Sequence, residues 1–351
     1  MYRNTWAEIN LENIAFNIKT LIQKNTEYNY FFGVVKGNCY GHYDVYKTII
    51  DSGCNYLAVA TLDEALKIRE VFKEIPILCL GIIPTNYFKI CLLNNITITI
   101  SNYEQIKNIT SKELNNLKVH LKINTGMNRL GTNKKEIALI KEKIKECEFI
   151  LEGIYSHIYN PLNESDTLKQ IQKFVNIIEE FNFEDVPIRH LFASESLILY
   201  KKISILNGCR LGSAMYGFSP DKELCLKSTF KVISEVIQIN EVKNETVGYN
   251  GTYRVNDIEK IAVVAIGYAD GIIRQNTGRF VYINQKPYKI VGNICMDMLF
   301  VKVDDEVKIN DLVEVIKDND HIELIANHLN SNNNEVMCLI SNRVPRKYLK
   351  S

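Results

Sequence analysis

No excess of either charge, no long apolar run and no paired cysteines mark this chain of 351 residues. Its 42 basic and 41 acidic residues leave a net charge of +1. No basic block stands out, which argues against nucleic acid or an anionic membrane as partner, though a local basic site for a small phosphate stays compatible. The nine cysteines are odd in number and scattered from Cys39 to Cys338, and no C-x-x-C occurs. That excludes a disulfide framework and a zinc ribbon, and points to a reducing compartment. The segment Met1–Glu8 is polar with an early acid, unlike a signal peptide. No stretch approaches the roughly 18 apolar residues of a membrane helix. A soluble cytoplasmic protein, without metal, is expected. No G-x-G-x-x-G follows any strand-like run, which weakens an open dinucleotide-binding sheet.

What is present is ordinary globular material, 46% hydrophobic and 24% charged, enough for two domains. Short apolar runs alternate with helical patterns in the first two-thirds. Runs at 30–36, 56–60, 77–82, 96–100, 118–124, 151–157, 188–194 and 208–212 read as strands. Segments 11–24, 62–72, 135–147 and 165–181 read as helices. Thr61-Leu62-Asp63-Glu64 forms a capping box at the start of the second. Ile137, Ile140 and Ile144 give the third a buried face. Eight strands separated by helices predict an α/β fold, a (β/α)8 barrel over 1–225. Past residue 226 the texture changes. Runs at 232–239, 261–266, 281–283, 288–291 and 312–316, with turn signals such as Tyr249-Asn250-Gly251, predict a mainly β domain over 226–351. Ser331–Asn334 reads as a polar loop.

Lys36 ends the run Phe31–Val35, where a barrel presents its active face. Partial desolvation there favours the neutral amine that Schiff-base chemistry needs. A snorkelling surface lysine is the plain alternative.

The segment Val34-Val35-Lys36-Gly37-Asn38-Cys39-Tyr40-Gly41-His42 resembles a signature of alanine racemases. Further matches follow in that family's order. They are Lys122 to Gly131 (KINTGMNRLG), Gly153 to His157 (GIYSH), Arg210 to Gly217 (RLGSAMYG), Val247 to Tyr253 (VGYNGTY), Ile266 to Gly271 (IGYADG), Cys295-Met296-Asp297 and Arg343-Val344-Pro345-Arg346. Together they span nearly the whole chain.

The resemblance implies pyridoxal 5'-phosphate as cofactor, carried by Lys36, and two proton-transfer groups, Lys36 and Tyr249. A tyrosine base at neutral pH needs cationic or hydrogen-bonding neighbours, since its ordinary pKa is about 10; His157 and Arg129 are implied. Arg210 would face the pyridine nitrogen. Tyr40, Ser194, Gly212 and Ser213 would hold the phosphate, where hydroxyls and backbone N–H groups suit a dianion. Arg129, Met296, Asp297 and Tyr268 would meet the substrate, and Lys122 matches a lysine often carbamylated in the family. Active sites shared across a homodimer are also implied, Tyr249 and Met296 coming from the partner's β domain.

Three positions depart from the pattern. Asn342 stands where tyrosine is usual before R-V-P-R, beside both phosphate and substrate. Asparagine widens and polarises that pocket, so serine is expected as a substrate beside alanine, as in serine racemases of the vancomycin-resistance type. Ala193 replaces a frequent asparagine. Asn293 replaces an entry arginine, whereas Arg274 keeps the other. The competing readings are a non-catalytic pyridoxal-phosphate-binding barrel, which lacks the β domain, and a barrel decarboxylase, which does not need two opposed bases.

Overall fold

The structure, a computed structural model, describes residues 3–110 and 112–350. It divides into two compact units. One comprises Ala15–Cys39 and Val45–Leu226; the other takes the segment up to Ile14, Tyr40–Asp44 and the chain from Lys227 onward. The expected division at 225/226 therefore differs at two places, the N-terminal segment and Tyr40–Asp44. The N-terminal segment goes with the β unit, because strand β1 (Trp6–Asn10) pairs antiparallel with β10 (Phe230–Val242) and parallel with β18 (Arg346–Leu349). The sequence reading treated that segment only as polar, yet Trp6, Ala7 and Ile9 are buried.

The first unit is a closed parallel barrel of β2 (Tyr30–Val34), β3 (Tyr56–Val59), β4 (Ile77–Cys79), β5 (Ile96–Ile100), β6 (Lys118–Lys122), β7 (Ile150–Tyr155), β8 (Ile188–Ala193) and β9 (Gly208–Leu211). Each strand matches an expected run, usually shortened at its C-terminal end, where the chain turns into the loops that carry candidate site residues. All five residues of β5 are buried, as parallel strands covered on both faces require. The helices Leu11–Gln23, Leu62–Val71, Ile137–Glu146 and Glu164–Glu180 lie where periodicity puts them. Thr61 and Glu64 form the capping box in full.

The second unit is an eight-stranded sheet ordered β13-β16-β15-β14-β17-β10-β1-β18, in which β10 also pairs with β13. Its other members are β13 (Glu259–Val264), β14 (Phe280–Ile283), β15 (Lys286–Val291), β16 (Leu299–Val303) and β17 (Leu312–Ile316); β11 (Thr246–Val247) and β12 (Tyr253–Arg254) form a separate ribbon. Two helices, Asn319–His328 and Asn333–Leu339, went unread. The second begins inside the supposed polar loop, because Asn332 accepts a hydrogen bond from the Glu335 N–H and caps it.

Two barrel ladders slip. Between β6 and β7, Val119 faces Leu151 but His120 faces Gly153, leaving Glu152 as the extra residue. Between β8 and β9 the register slips between His190 and Ala193. Bulges are rare in parallel ladders and re-aim side chains. Gly153 has a separate reason to be glycine: a Cβ there would lie 2.4 Å from Cε1 of His120. Gly153→Ala should lower stability by roughly 1–3 kcal/mol through overpacking, read from the denaturant midpoint at unchanged m-value.

Candidate active site

The site begins with backbone handedness. Lys36 follows β2 by two residues and is half-buried. The next five residues, Gly37 (φ 63°), Asn38 (50°), Cys39 (55°), Tyr40 (55°) and Gly41 (81°), form a left-handed turn. Left-handed backbone costs an ordinary residue roughly 1–2 kcal/mol, so three non-glycine members in a row must be held. The Cys39 N–H donates to the Val35 carbonyl at 2.9 Å. The Gly37 N–H donates to Glu64 Oε1 at 2.7 Å, while Oε2 of the same carboxylate takes the Ala60 N–H at 2.8 Å. One capping glutamate thus ties the lysine turn to the helix Leu62–Val71. Strain retained in this way clusters at functional sites.

Arg210, in β9, is 3% exposed. Its Nη1 donates to Nδ1 of His190 at 2.7 Å and to the His190 carbonyl at 3.3 Å. Its Nη2 donates to the carbonyls of Ser156 (2.7 Å) and Leu191 (2.9 Å) and to Nδ1 of His157 (3.1 Å). No carboxylate is among these partners. A guanidinium has five N–H groups and accepts nothing. Four are engaged; among the described residues the Nε–H finds no acceptor. Burial lowers the Arg210 pKa to about 10, so it keeps its charge at neutral pH.

Cations gather here. Burial and then Arg210, Arg129 and Lys36 bring the Lys122 ammonium down to about 7. Burial, then Arg210, Arg129, Lys122 and Lys36 push His157 well below the usual histidine range. These mutual effects bring Lys36, Lys122, Arg129, His157 and Arg210 into one field. Because Arg210 can only donate, Nδ1 of His157 must accept, and the ring proton sits on Nε2. Lys122 and Arg210 both lie against the Tyr155 ring, at 5.2 and 5.5 Å. Ser194 Oγ accepts the N–H groups of Gly212 (2.9 Å) and Ala214 (3.2 Å), joining two candidate phosphate loops.

The remaining candidates lie in the β unit. Tyr40 is buried there, and burial followed by Cys338 raises its phenol. Tyr249 opens a short helical turn after Gly248 (φ 75°), takes a hydrogen bond from Asn293 Nδ2 on its carbonyl at 2.9 Å, and is 62% exposed. Tyr268 and Met296 are exposed as well, and Arg274 lies over the Tyr268 ring. The Tyr268 and Ala269 N–H groups bond the carbonyls of Cys295 and Met296, and a Cβ on Gly267 would lie 2.4 Å from the Cys295 carbonyl. Asp297 pairs with Arg343 at 2.6 Å, next to exposed Asn342. The candidates thus fall into two groups, one in each unit. His120, Glu152 and His190 were not nominated from sequence. Their signal was a histidine inside each of two apolar strands.

Models of two families match. "Alanine racemase, N-terminal domain" covers residues 9–220 and "Alanine racemase, C-terminal domain" covers 229–348. An alanine racemase of Anoxybacillus flavithermus is 34% identical, over 100% of this chain and 96% of the relative. The crystal structure of alanine racemase from Bacillus anthracis with bound L-Ala-P has a TM-score of 0.92 at 31% identity, covering 100% of this chain and 96% of that one. Alanine racemase from Bartonella henselae with covalently bound pyridoxal phosphate has a TM-score of 0.89 at 26% identity, covering 99% of each chain.

Lysine carries three donors against five on arginine. Arg210→Lys should strand at least two buried acceptors and cost about 2 kcal/mol or more, measured by chemical denaturation.

Proposed function

Because this chain belongs to the alanine racemase family, we propose that it interconverts L- and D-alanine with pyridoxal 5'-phosphate, using Lys36 and Tyr249 as the two proton-transfer groups. When bound, the cofactor serves as electron sink for the α-carbon. The observation that carries the reading is the donor set of Arg210. Its Nη groups are consumed by the barrel and its Nε–H is left over. That donor suits an aromatic ring nitrogen, and a guanidinium does not surrender its proton to it. A ring nitrogen held there would stay unprotonated, a state that would favour return of the α-proton over amino transfer.

The other residues take roles that their surroundings support. The Lys36 amine moves the α-proton on one face and the Tyr249 phenol on the other. His157, neutral and donating from Nε2, steadies the phenol oxygen when it carries charge. Ser194, Gly212 and Ser213 of the barrel unit hold the phosphate. Arg129, Tyr268, Asp297 and the Met296 N–H orient the substrate carboxylate. The relatives named above are alanine racemases and lend no support to a serine-directed enzyme, so alanine is the substrate. The C-terminal domain model matches the part that a bare cofactor-binding barrel lacks.

We assign the working form as a homodimer with shared sites. Tyr249 and Met296 are 62% and 52% exposed in the single chain, as groups offered to a second subunit would be. Among the described residues no helix is long and apolar enough to cross a membrane; alanine is taken as a free small molecule in the cytoplasm.

Tyr249→Phe should retain the cofactor's visible band but lose on the order of 10²- to 10⁴-fold in racemisation, the range of a general base. Lys36→Ala should lose both. Mixing the two variants under subunit exchange should restore activity, since one site of each mixed dimer is intact. A mixture as inactive as its parents would rule out shared sites, and a wild type unable to interconvert the alanine enantiomers would refute the function.

Lys122 supplies a separate test. With its pKa at about 7, the amine is largely neutral above neutral pH and able to add carbon dioxide. The resulting carbamate would be an anion among cations. A carbamate resonance from ¹³C-labelled bicarbonate should grow as pH rises through 7 and vanish in Lys122→Arg.

A further inference from the structure

The barrel interior holds a hydrogen-bonded line that the proposed chemistry does not use. It runs from Arg210 to Nδ1 of His190 (2.7 Å) and from Nε2 of His190 to Nδ1 of His120 (3.0 Å); Nε2 of His120 makes no hydrogen bond but faces Glu152 Oε2 at an ion-pair distance of 3.4 Å. Both histidines are fully buried. The Glu152 side chain is 17% exposed and is reached by Tyr56 (2.7 Å), Thr97 (3.0 Å) and Lys118 (3.5 Å).

The ends of this line fix its protons. Arg210 can only donate, so Nδ1 of His190 accepts. A neutral imidazole has one donor and one acceptor, so Nε2 of His190 donates and Nδ1 of His120 accepts. Nε2 of His120 then holds a proton, which faces the carboxylate of Glu152 across 3.4 Å. A second proton on either ring would set N–H against N–H. Only one proton order avoids such a clash, and it points from a cation at one end toward an anion at the other.

The fold makes room for this line deliberately. Glu152 is the bulge residue of β7, Gly153 is bare where a Cβ would strike His120, and β8 slips just after His190. His190 is clamped between Phe32 (4.5 Å, 15°) and Tyr155 (4.7 Å, 8°).

We infer that Glu152 is a positioning residue for the reaction: its carboxylate, facing Nε2 of His120, reinforces the proton order that Arg210 begins at His190 and so helps to lock Arg210 with its Nε–H turned out. This rests on the reading that Arg210 meets the cofactor's ring nitrogen. Were His190 protonated on Nδ1, that hydrogen would oppose the Nη1–H of Arg210 across 2.7 Å and drive the guanidinium away.

The test is ¹⁵N-histidine NMR on the protein with pyridoxal phosphate added, at neutral pH. Wild type should show His120 and His190 as Nε2–H tautomers. Glu152→Asp keeps an acceptor-only end and should preserve them. Glu152→Gln offers a donor as well as an acceptor. It should give mixed tautomers at His120, a shifted cofactor absorption band, and kcat lower on the order of tenfold, as for other partners that orient an imidazole, with KM for alanine unchanged. An Nδ1–H tautomer at either histidine in wild type would overturn the inference. So would a Glu152→Gln variant with wild-type tautomers and wild-type kcat. A wild type with the assigned tautomers but no racemisation would count against the functional reading alone and leave the proton order standing.

Discussion

A guanidinium that can only donate, buried where no carboxylate meets it, governs this barrel. Arg210 spends four N–H groups on three carbonyls and two imidazoles, and each imidazole thereby loses its freedom of tautomer. Without those acceptors the charge could not be retained at such depth. With them, the surplus of positive charge is not neutralised but distributed. Burial first, and then these neighbouring cations, make Lys122 and His157 give up their own protons more readily.

That surplus gives the first unit its chemical character. Lys36, Lys122, Arg129 and Arg210 share one field, which favours an anionic occupant such as a phosphate ester or a carboxylate. Burial and the same field bring the Lys122 amine down to about 7. Irregular backbone concentrates around these groups: the left-handed turn after Lys36, the bulge at Glu152 and the slip after His190. The regular parts of the barrel hold these exceptions in place.

Much of this was legible in the sequence, for reasons that differ by element. The eight barrel strands were readable because parallel strands buried on both faces are continuous apolar runs, and the capping box because Thr61 and Glu64 stand three apart. Lys36 was visible as a cation closing such a run. The family motifs placed Arg210, His157 and Tyr249 without saying what holds them. Strand β1 was missed because its five residues, Trp-Ala-Glu-Ile-Asn, are too few to show a clear period and its partners lie more than 200 residues away. Asn332 was taken for loop composition although it is a helix cap; asparagine serves both ends, and only the following helix tells them apart. The line from Arg210 to Glu152 was illegible, since it depends on a ladder slip that brings positions 120, 152 and 190 together. No spacing rule in one dimension encodes a bulge between two strands.

The placement of β1 has a kinetic consequence. It lies between β10 and β18, so its hydrogen bonds await segments synthesised over 200 and over 330 residues later. The barrel, by contrast, joins mostly successive strands, with a single distant closure between β2 and β9. On a growing chain the barrel can therefore mature while the N-terminal strand is still an unpaired edge, and such edges invite misassociation. Glu8 and Asn10 in the strand, with Arg3 and Asn4 just before it, give that waiting segment the polar positions that blunt it until its late partners arrive.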